Sequence, residues 1–276
     1  QPIGCFIRLR ILFQMTYMKG CYCLMDKKIL ITGISGLVGS VLYEGLRSKY
    51  SITGVDSELV TDPPTVIGDV TNIDEIKEAY KNIDLVIDLA SVPSQFSPWK
   101  VIYDNNILCT YNSLELARLN GVKKYIYASS NHVTGMYESD KPYADIISGD
   151  YSKIGTYPRI TSDMPIRPDG YYGVGKAFGE SLGRYYSENH DMSLICLRIG
   201  TVNQENKPLN IRQFATLLTH SDLIHLTECC ISALEDVRFA IYYGVSKNKW
   251  RIWDIGNAVE EIGYHPKDDA EYYRGK

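Results

Sequence analysis

Tyr172 and Lys176 stand four residues apart in Asp169-Gly-Tyr-Tyr-Gly-Val-Gly-Lys176, at the start of a stretch that reads as a helix to about Asn189. That spacing places both on one helical face, one turn apart. A phenol works as a base only when its pKa, about 10 when unperturbed, comes down, and a nearby ammonium lowers it by favouring the phenolate. Lys176 supplies the charge. The chemistry is proton abstraction from a hydroxyl, although such a pair also arises by chance on surface helices. Upstream, Lys124 to Tyr127 read as a strand, which ends in Ser129-Ser130-Asn131-His132. His132 can equally be a core histidine.

These residues need a scaffold, and the stretch from Lys28 to Ser40 defines it. Ile29, Leu30 and Ile31 form a short apolar run suited to a buried parallel strand, and Thr32-Gly33 breaks it before an amphipathic pattern carrying Val38, Leu42 and Leu46. Gly33, Gly36 and Gly39 suit a turn that bends tightly, admits a pyrophosphate to the backbone and packs the helix on the sheet. The phosphates then face free helix amides. A second strand, Ile52 to Val55, ends in Asp56 about 20 residues on, where a carboxylate accepts bonds from ribose hydroxyls and repels a 2′-phosphate. No Arg or Lys lies between Lys49 and Lys77, so NAD is expected rather than NADP.

The alternation continues with Thr65 to Ile67, a helix from about Ile73 to Tyr80, Asp84 to Ala90 as a strand buried on both faces, and a helix from about Trp99 to Asn120. Gly121 is a natural left-handed cap. This order predicts an α/β Rossmann fold, a doubly wound parallel sheet with a small C-terminal substrate lobe. Residues 25–276 are read as one NAD-binding domain, with substrate elements mainly in 138–167 and 201–276. Glu138 to Arg167 shows little periodicity, and its place before Tyr172 suggests a lid over the substrate, with a plain surface excursion as the alternative.

The 276 residues carry a net charge of −4 and no long basic run, so a nucleic-acid partner is not expected. The seven cysteines, at positions 5, 21, 23, 109, 196, 229 and 230, have no framework spacing and no zinc-like pairing, which predicts a reduced cytoplasmic protein with no metal. Residues 1–24 are apolar and basic without an acid, yet the run from Ile11 to Met18 is too short to span a bilayer. They are read as an extension outside the fold, with translated upstream sequence preferred over a targeting segment, and no membrane partner is expected.

The glycine turn Thr32-Gly-Ile-Ser-Gly-Leu-Val-Gly39, the Ser129-Ser130 strand end and the Tyr172/Lys176 pair occur in the order of short-chain dehydrogenase/reductase enzymes. The chain resembles the extended branch, the NAD-dependent epimerase/dehydratase family, and within it the uronate dehydrogenases. The narrower likeness is carried by Ala128-Ser-Ser-Asn-His132, Arg167-Pro-Asp-Gly-Tyr-Tyr-Gly-Val-Gly-Lys176, Phe178-Gly-Glu180, Leu197-Arg-Ile-Gly200, Thr219-His-Ser-Asp222 and Trp253-Asp254. It covers roughly Lys27 to Arg274.

The resemblance implies catalytic roles for three residues. Tyr172 is the general base, Lys176 lowers its pKa and binds the nicotinamide ribose, and Ser130 bonds the reacting hydroxyl. The implied cofactor positions are Gly33, Ser35, Gly36, Leu37, Val38, Gly39, Asp56, Asp69, Val70, Leu89, Ala90 and Ser91, with Tyr172 and Lys176. The substrate positions are Ser94, Ser130, Asn131, His132, Thr201 and Arg212. Arg212 matches an arginine that clamps a uronate carboxylate through two parallel bonds. The expected reaction is oxidation of a sugar, a hexuronate first, at C1 to a lactone. The alternatives are a nucleotide-sugar epimerase or dehydratase, and a dinucleotide sensor without turnover. Gly175 departs from the serine usual in the motif, and the segment from Glu138 to Arg167 is longer than in uronate dehydrogenases. The family habit of pairing two long helices implies a homo-oligomer.

Overall fold

Alternating apolar residues send successive side chains of each strand to opposite faces of the sheet, and the core divides accordingly. Ile29, Ile31, Ile126, Ile195 and Leu197 pack on one face, while Leu30, Tyr125, Tyr127, Leu194 and Cys196 pack on the other. The computed structural model describes residues 27–275, so the expectations for residues 1–24, with Cys5, Cys21 and Cys23, lie outside the described residues.

The elements run β1 (Lys28–Thr32), α1 (Leu37–Leu46), β2 (Ser51–Asp56), β3 (Thr65–Ile67), α2 (Ile73–Ile76), β4 (Leu85–Asp88), α3 (Trp99–Val101), α4 (Leu108–Leu119), β5 (Lys124–Ser130), α5 (Tyr143–Ser148), α6 (Tyr171–Asn189), β6 (Ser193–Ile199), α7 (Gln213–Thr216), α8 (His220–Ser232), β7 (Phe239–Gly244) and α9 (Gly256–Ile262). All seven strands are parallel, in the order β3-β2-β1-β4-β5-β6-β7. The chain reverses its winding direction between β1 and β4. In such sheets the crevice outside the strands' carboxyl ends at that point is where ligands bind.

The helix expected from Trp99 to Asn120 is interrupted by six residues of π-helix, Ile102–Ile107, and Gly121 caps its end with φ +72°. Among the described residues, those beyond β6 share the main core: Leu218, Leu223, Leu226 and Tyr264 belong to the same cluster as Ile29 and Ile31. The segment from Glu138 to Arg167 is built into the body rather than draped over it. Tyr143–Ser148 is helical, Ile146 and Ile160 are wholly buried, and Ile160 exchanges backbone bonds of 2.9 Å with Ile252 and Asp254. Those two isoleucines tie its middle to the core, which an aperiodic sequence pattern does not reveal. Among the described residues no helix is long and apolar enough to cross a membrane.

Candidate active site

The turn after β1 is shaped by what its glycines lack. Gly33 has φ +67°, and a Cβ on it would lie 3.1 Å from the Ala90 nitrogen; a Cβ on Gly39 would lie 2.6 Å from the Gly33 oxygen. Strand, turn and helix can therefore meet only without side chains at these points. Asp56, at the end of β2, accepts from the Ser35 amide at 2.8 Å through Oδ2 and from the Glu58 amide at 3.1 Å through Oδ1. A carboxylate has about four acceptor positions, so it retains capacity for two ribose hydroxyls.

A cleft of about 570 Å³ opens here, lined by Gly33, Ser35, Gly36, Leu37, Val38, Gly39, Asp56, Asp69, Val70, Leu89, Ala90 and Ser91. Those are the twelve cofactor positions anticipated from the sequence outside the Tyr/Lys pair. Asn105, Cys109 and Val202 join them unanticipated. The π-helical turn shapes this wall, since Asn106 accepts from the Val92 amide at 2.9 Å and donates to the Val92 oxygen at 3.1 Å. The tight turn, the free amides of α1 and the Asp56 carboxylate together fit an adenine dinucleotide without a 2′-phosphate.

A second cleft, of about 310 Å³, adjoins the first and shares Val38, Leu89, Ser91, Pro93 and Val202 with it. Ser130, Asn131, His132, Tyr172, Lys176, Thr201 and Arg212 line it. Close packing of α6 brings the two halves together: a Cβ on Gly173 would fall 2.3 Å from the His132 oxygen, and one on Gly175 would fall 2.7 Å from Ile102 Cγ2. The glycine found in place of the usual serine thus accommodates Ile102. Ser94 is not brought in. Its hydroxyl accepts from the Phe96 amide at 3.3 Å, and it lines neither cleft; the loop places Pro93 there instead.

Burial governs the two titrating groups. The Tyr172 phenol is pushed up to about 12 by burial, with the Ser130 hydroxyl pulling it back. Lys176 is lowered to about 8 by burial, with Asp88 pulling it up. Its ammonium donates to Ser91 Oγ at 3.1 Å and stands 5.8 Å from the Tyr172 ring centre. The sequence argument expects Lys176 to depress the phenol, whereas in this pocket desolvation outweighs any such help.

Several partners escape sequence reasoning. Asp169 Oδ2 accepts from His132 Nδ1 at 2.7 Å, which orients the imidazole, 5.7 Å centre to centre from the Tyr172 ring. Asp88 accepts from the Thr32 hydroxyl at 2.5 Å, while its Oδ2 has no hydrogen-bond partner among the described residues. Thr201 Oγ1 lies 2.8 Å from Thr216 Oγ1. Arg212 does not present a free fork: its Nε and Nη2 donate to the two oxygens of Glu138 at 2.7 and 2.6 Å.

With this geometry in place, comparison with known proteins is decisive for the family. Residues 29–218 match the NAD dependent epimerase/dehydratase family. The chain belongs to that family. Among relatives of this epimerase/dehydratase-family chain is an NAD-dependent glucose-6-phosphate dehydrogenase of Haloferax volcanii, 35% identical over 89% of this chain and 95% of the relative. An L-arabinose 1-dehydrogenase (NAD(P)(+)) of the same organism is 31% identical over 88% of this chain and 97% of its own length. In structure, the family member resembles a mutant uronate dehydrogenase from Agrobacterium tumefaciens complexed with NAD. That match has a TM-score of 0.75 at 29% identity and covers 90% of this chain and 87% of that one.

Proposed function

We propose that this chain oxidises a cyclic sugar or sugar acid at its anomeric carbon to a lactone, as an NAD-dependent dehydrogenase acting on a CH–OH group. The observation that carries the reading is the convergence of Ser130, Tyr172 and Lys176 where the dinucleotide cleft opens into the smaller one. The related dehydrogenases share a sugar as substrate and differ in its charge. The hexuronate expected from Arg212 is one member of that set, and the engagement of Arg212 bears on the choice.

Gly33, Gly36 and Gly39 with the α1 amides would hold the pyrophosphate of NAD, Asp56 the adenosine ribose, and Lys176 the nicotinamide ribose. The nicotinamide supplies the acceptor for the C1 hydride. Ser130 Oγ bonds the C1 hydroxyl and aims its proton at Tyr172 Oη, which takes that proton as the C1–O double bond forms. Burial raises the Tyr172 phenol, so its proton must first pass to solvent through the open cleft, and supplying that phenolate is the protein's main electrostatic task. Asn131, His132 and Thr201 supply hydrogen-bonding groups for the remaining hydroxyls. His132 is the best held of them, fixed by Asp169.

The test is NADH formation by purified full-length protein with NAD and a panel of free aldoses, uronates and nucleotide sugars. Lactone-forming turnover of free sugars, lost by roughly 10²–10⁴-fold in Tyr172→Phe with NAD binding retained, supports the assignment. Interconversion of nucleotide sugars without net NADH would instead make it an epimerase, and a NAD response that survives Tyr172→Phe without turnover would make it a sensor.

A further inference from the structure

The residue a sugar acid would need is already engaged by the chain itself. Arg212 lines the smaller cleft, and its planar Nε–Nη2 edge, one of the two guanidinium edges that match a carboxylate, is filled by both oxygens of Glu138, which neutralises its charge. We infer that Glu138 is a specificity-determining residue: by occupying the Arg212 fork it sets the pocket for a sugar whose end remote from C1 carries no charge. The inference rests on the dehydrogenase reading above and narrows its substrate class.

The geometry is that of a completed pair rather than a passing contact. The two bonds are 2.7 and 2.6 Å, and the side chains are only 15% exposed for Glu138 and 29% for Arg212. At that burial the attraction is screened less than on the open surface. A substrate carboxylate would either displace Glu138, leaving a largely buried carboxylate without its partner, or dock against a pair with no net charge. Both routes oppose a uronate.

An uncharged sugar meets neither obstacle. Arg212 keeps Nη1, whose nearest acceptor is Thr201 Oγ1 at 3.4 Å, so it can donate to a sugar hydroxyl without breaking the pair. The other charged groups offer a second anion no welcome. Asp169 adds a carboxylate held by His132, and the Lys176 ammonium is committed to the Ser91 hydroxyl on the cofactor side. The positive charge of Arg212 is retained, but it is spent internally as a rigid wall bearing one or two N–H donors.

The experiment compares kcat/KM for glucose, galactose and arabinose with that for glucuronate, galacturonate and a phosphorylated aldose, in the wild-type chain and in Glu138→Gln and Glu138→Ala. The wild type should favour neutral aldoses over the matching uronates by roughly tenfold or more. Both substitutions should raise the uronate-to-aldose ratio by roughly tenfold or more, through a lower KM for the uronate. A wild type that prefers the uronate or phosphorylated sugar overturns the inference without any variant. So does a ratio that stays fixed while both substrates lose activity together, the signature of a merely structural role. If no sugar is oxidised, the dehydrogenase reading fails separately, and calorimetric titration of NAD-loaded protein with glucuronate and glucose still decides the inference. Glucuronate binding gained only in the variants supports it, and equal or tighter glucuronate binding in the wild type defeats it.

Discussion

Arg198 and Glu180 meet in a two-bond ion pair, both contacts 2.9 Å, beside the strand end that carries Ser130. Glu180 Oε1 also accepts from the Ser129 hydroxyl at 2.6 Å, and Arg198 Nη1 donates to Tyr243 Oη at 3.1 Å, which in turn lies 2.9 Å from Thr134 Oγ1. The network ties α6, β5, β6, β7 and the turn after Ser130 into one unit. Removing one partner strands a buried charge, so Arg198→Met should destabilise the fold by about 3–5 kcal/mol, measured by urea unfolding. Replacing both partners by apolar residues should recover much of that loss. A double variant no more stable than the single one would show that the stranded charge is not the cause.

How much of this was legible in the sequence follows the distance between partners along the chain. The β1 turn and Asp56 are readable because a strand, its turn and the next strand end are close neighbours in sequence. The Phe178-Gly-Glu180 and Leu197-Arg-Ile-Gly200 motifs were visible as family marks, but their purpose, a buried pair, needed the sheet register. Glu138 and Arg212 lie 74 residues apart, and nothing local announces that one fills the other. The helix Tyr143–Ser148 is too short to show a period. Ser94 rests on the resemblance alone, and its hydroxyl turns back on its own chain.

We propose that cofactor choice depends on the Asp56 carboxylate. It repels a 2′-phosphate and holds the Ser35 amide at 2.8 Å. Asp56→Ser should therefore lower kcat/KM for NAD and shift the NADP-to-NAD ratio by roughly 10- to 100-fold towards NADP. NADP use should stay weak in absolute terms, because Lys49 and Lys77 bracket a stretch with no cation to receive the phosphate. Steady-state kinetics with both cofactors decide it, and an unmoved ratio would remove Asp56 from the ribose site.

His132 depends on Asp169 for its orientation, through the 2.7 Å contact at Nδ1. Asp169→Asn preserves the shape and drops the charge. The expected result is a rise of roughly three- to tenfold in KM for the sugar with KM for NAD unchanged, since a released imidazole no longer presents a fixed edge to the pocket. Equal losses for both substrates would instead point to damage at the start of α6.

Lys176 sets opposite demands on binding and stability. Burial lowers its pKa to about 8, so the ammonium is fully present only below that pH and is lost above it. NAD binding uses that ammonium, so the affinity of the free enzyme for NAD, read by calorimetric titration, should fall as pH rises through about 8. Lys176→Met should give a lower profile without that limb. The stability effect has the opposite direction. An unfolded lysine titrates near 10.4, so as pH falls from there to about 8 the unfolded chain takes up a proton that the folded one resists. The folded state thus loses stability over that window, by about 2–4 kcal/mol once pH is below about 8. Lys176→Met abolishes the penalty, so at pH 7 it should unfold at a higher temperature than the wild type while using NAD less well. A variant that loses both stability and NAD use would show that the ammonium is held by compensating bonds and costs the fold nothing.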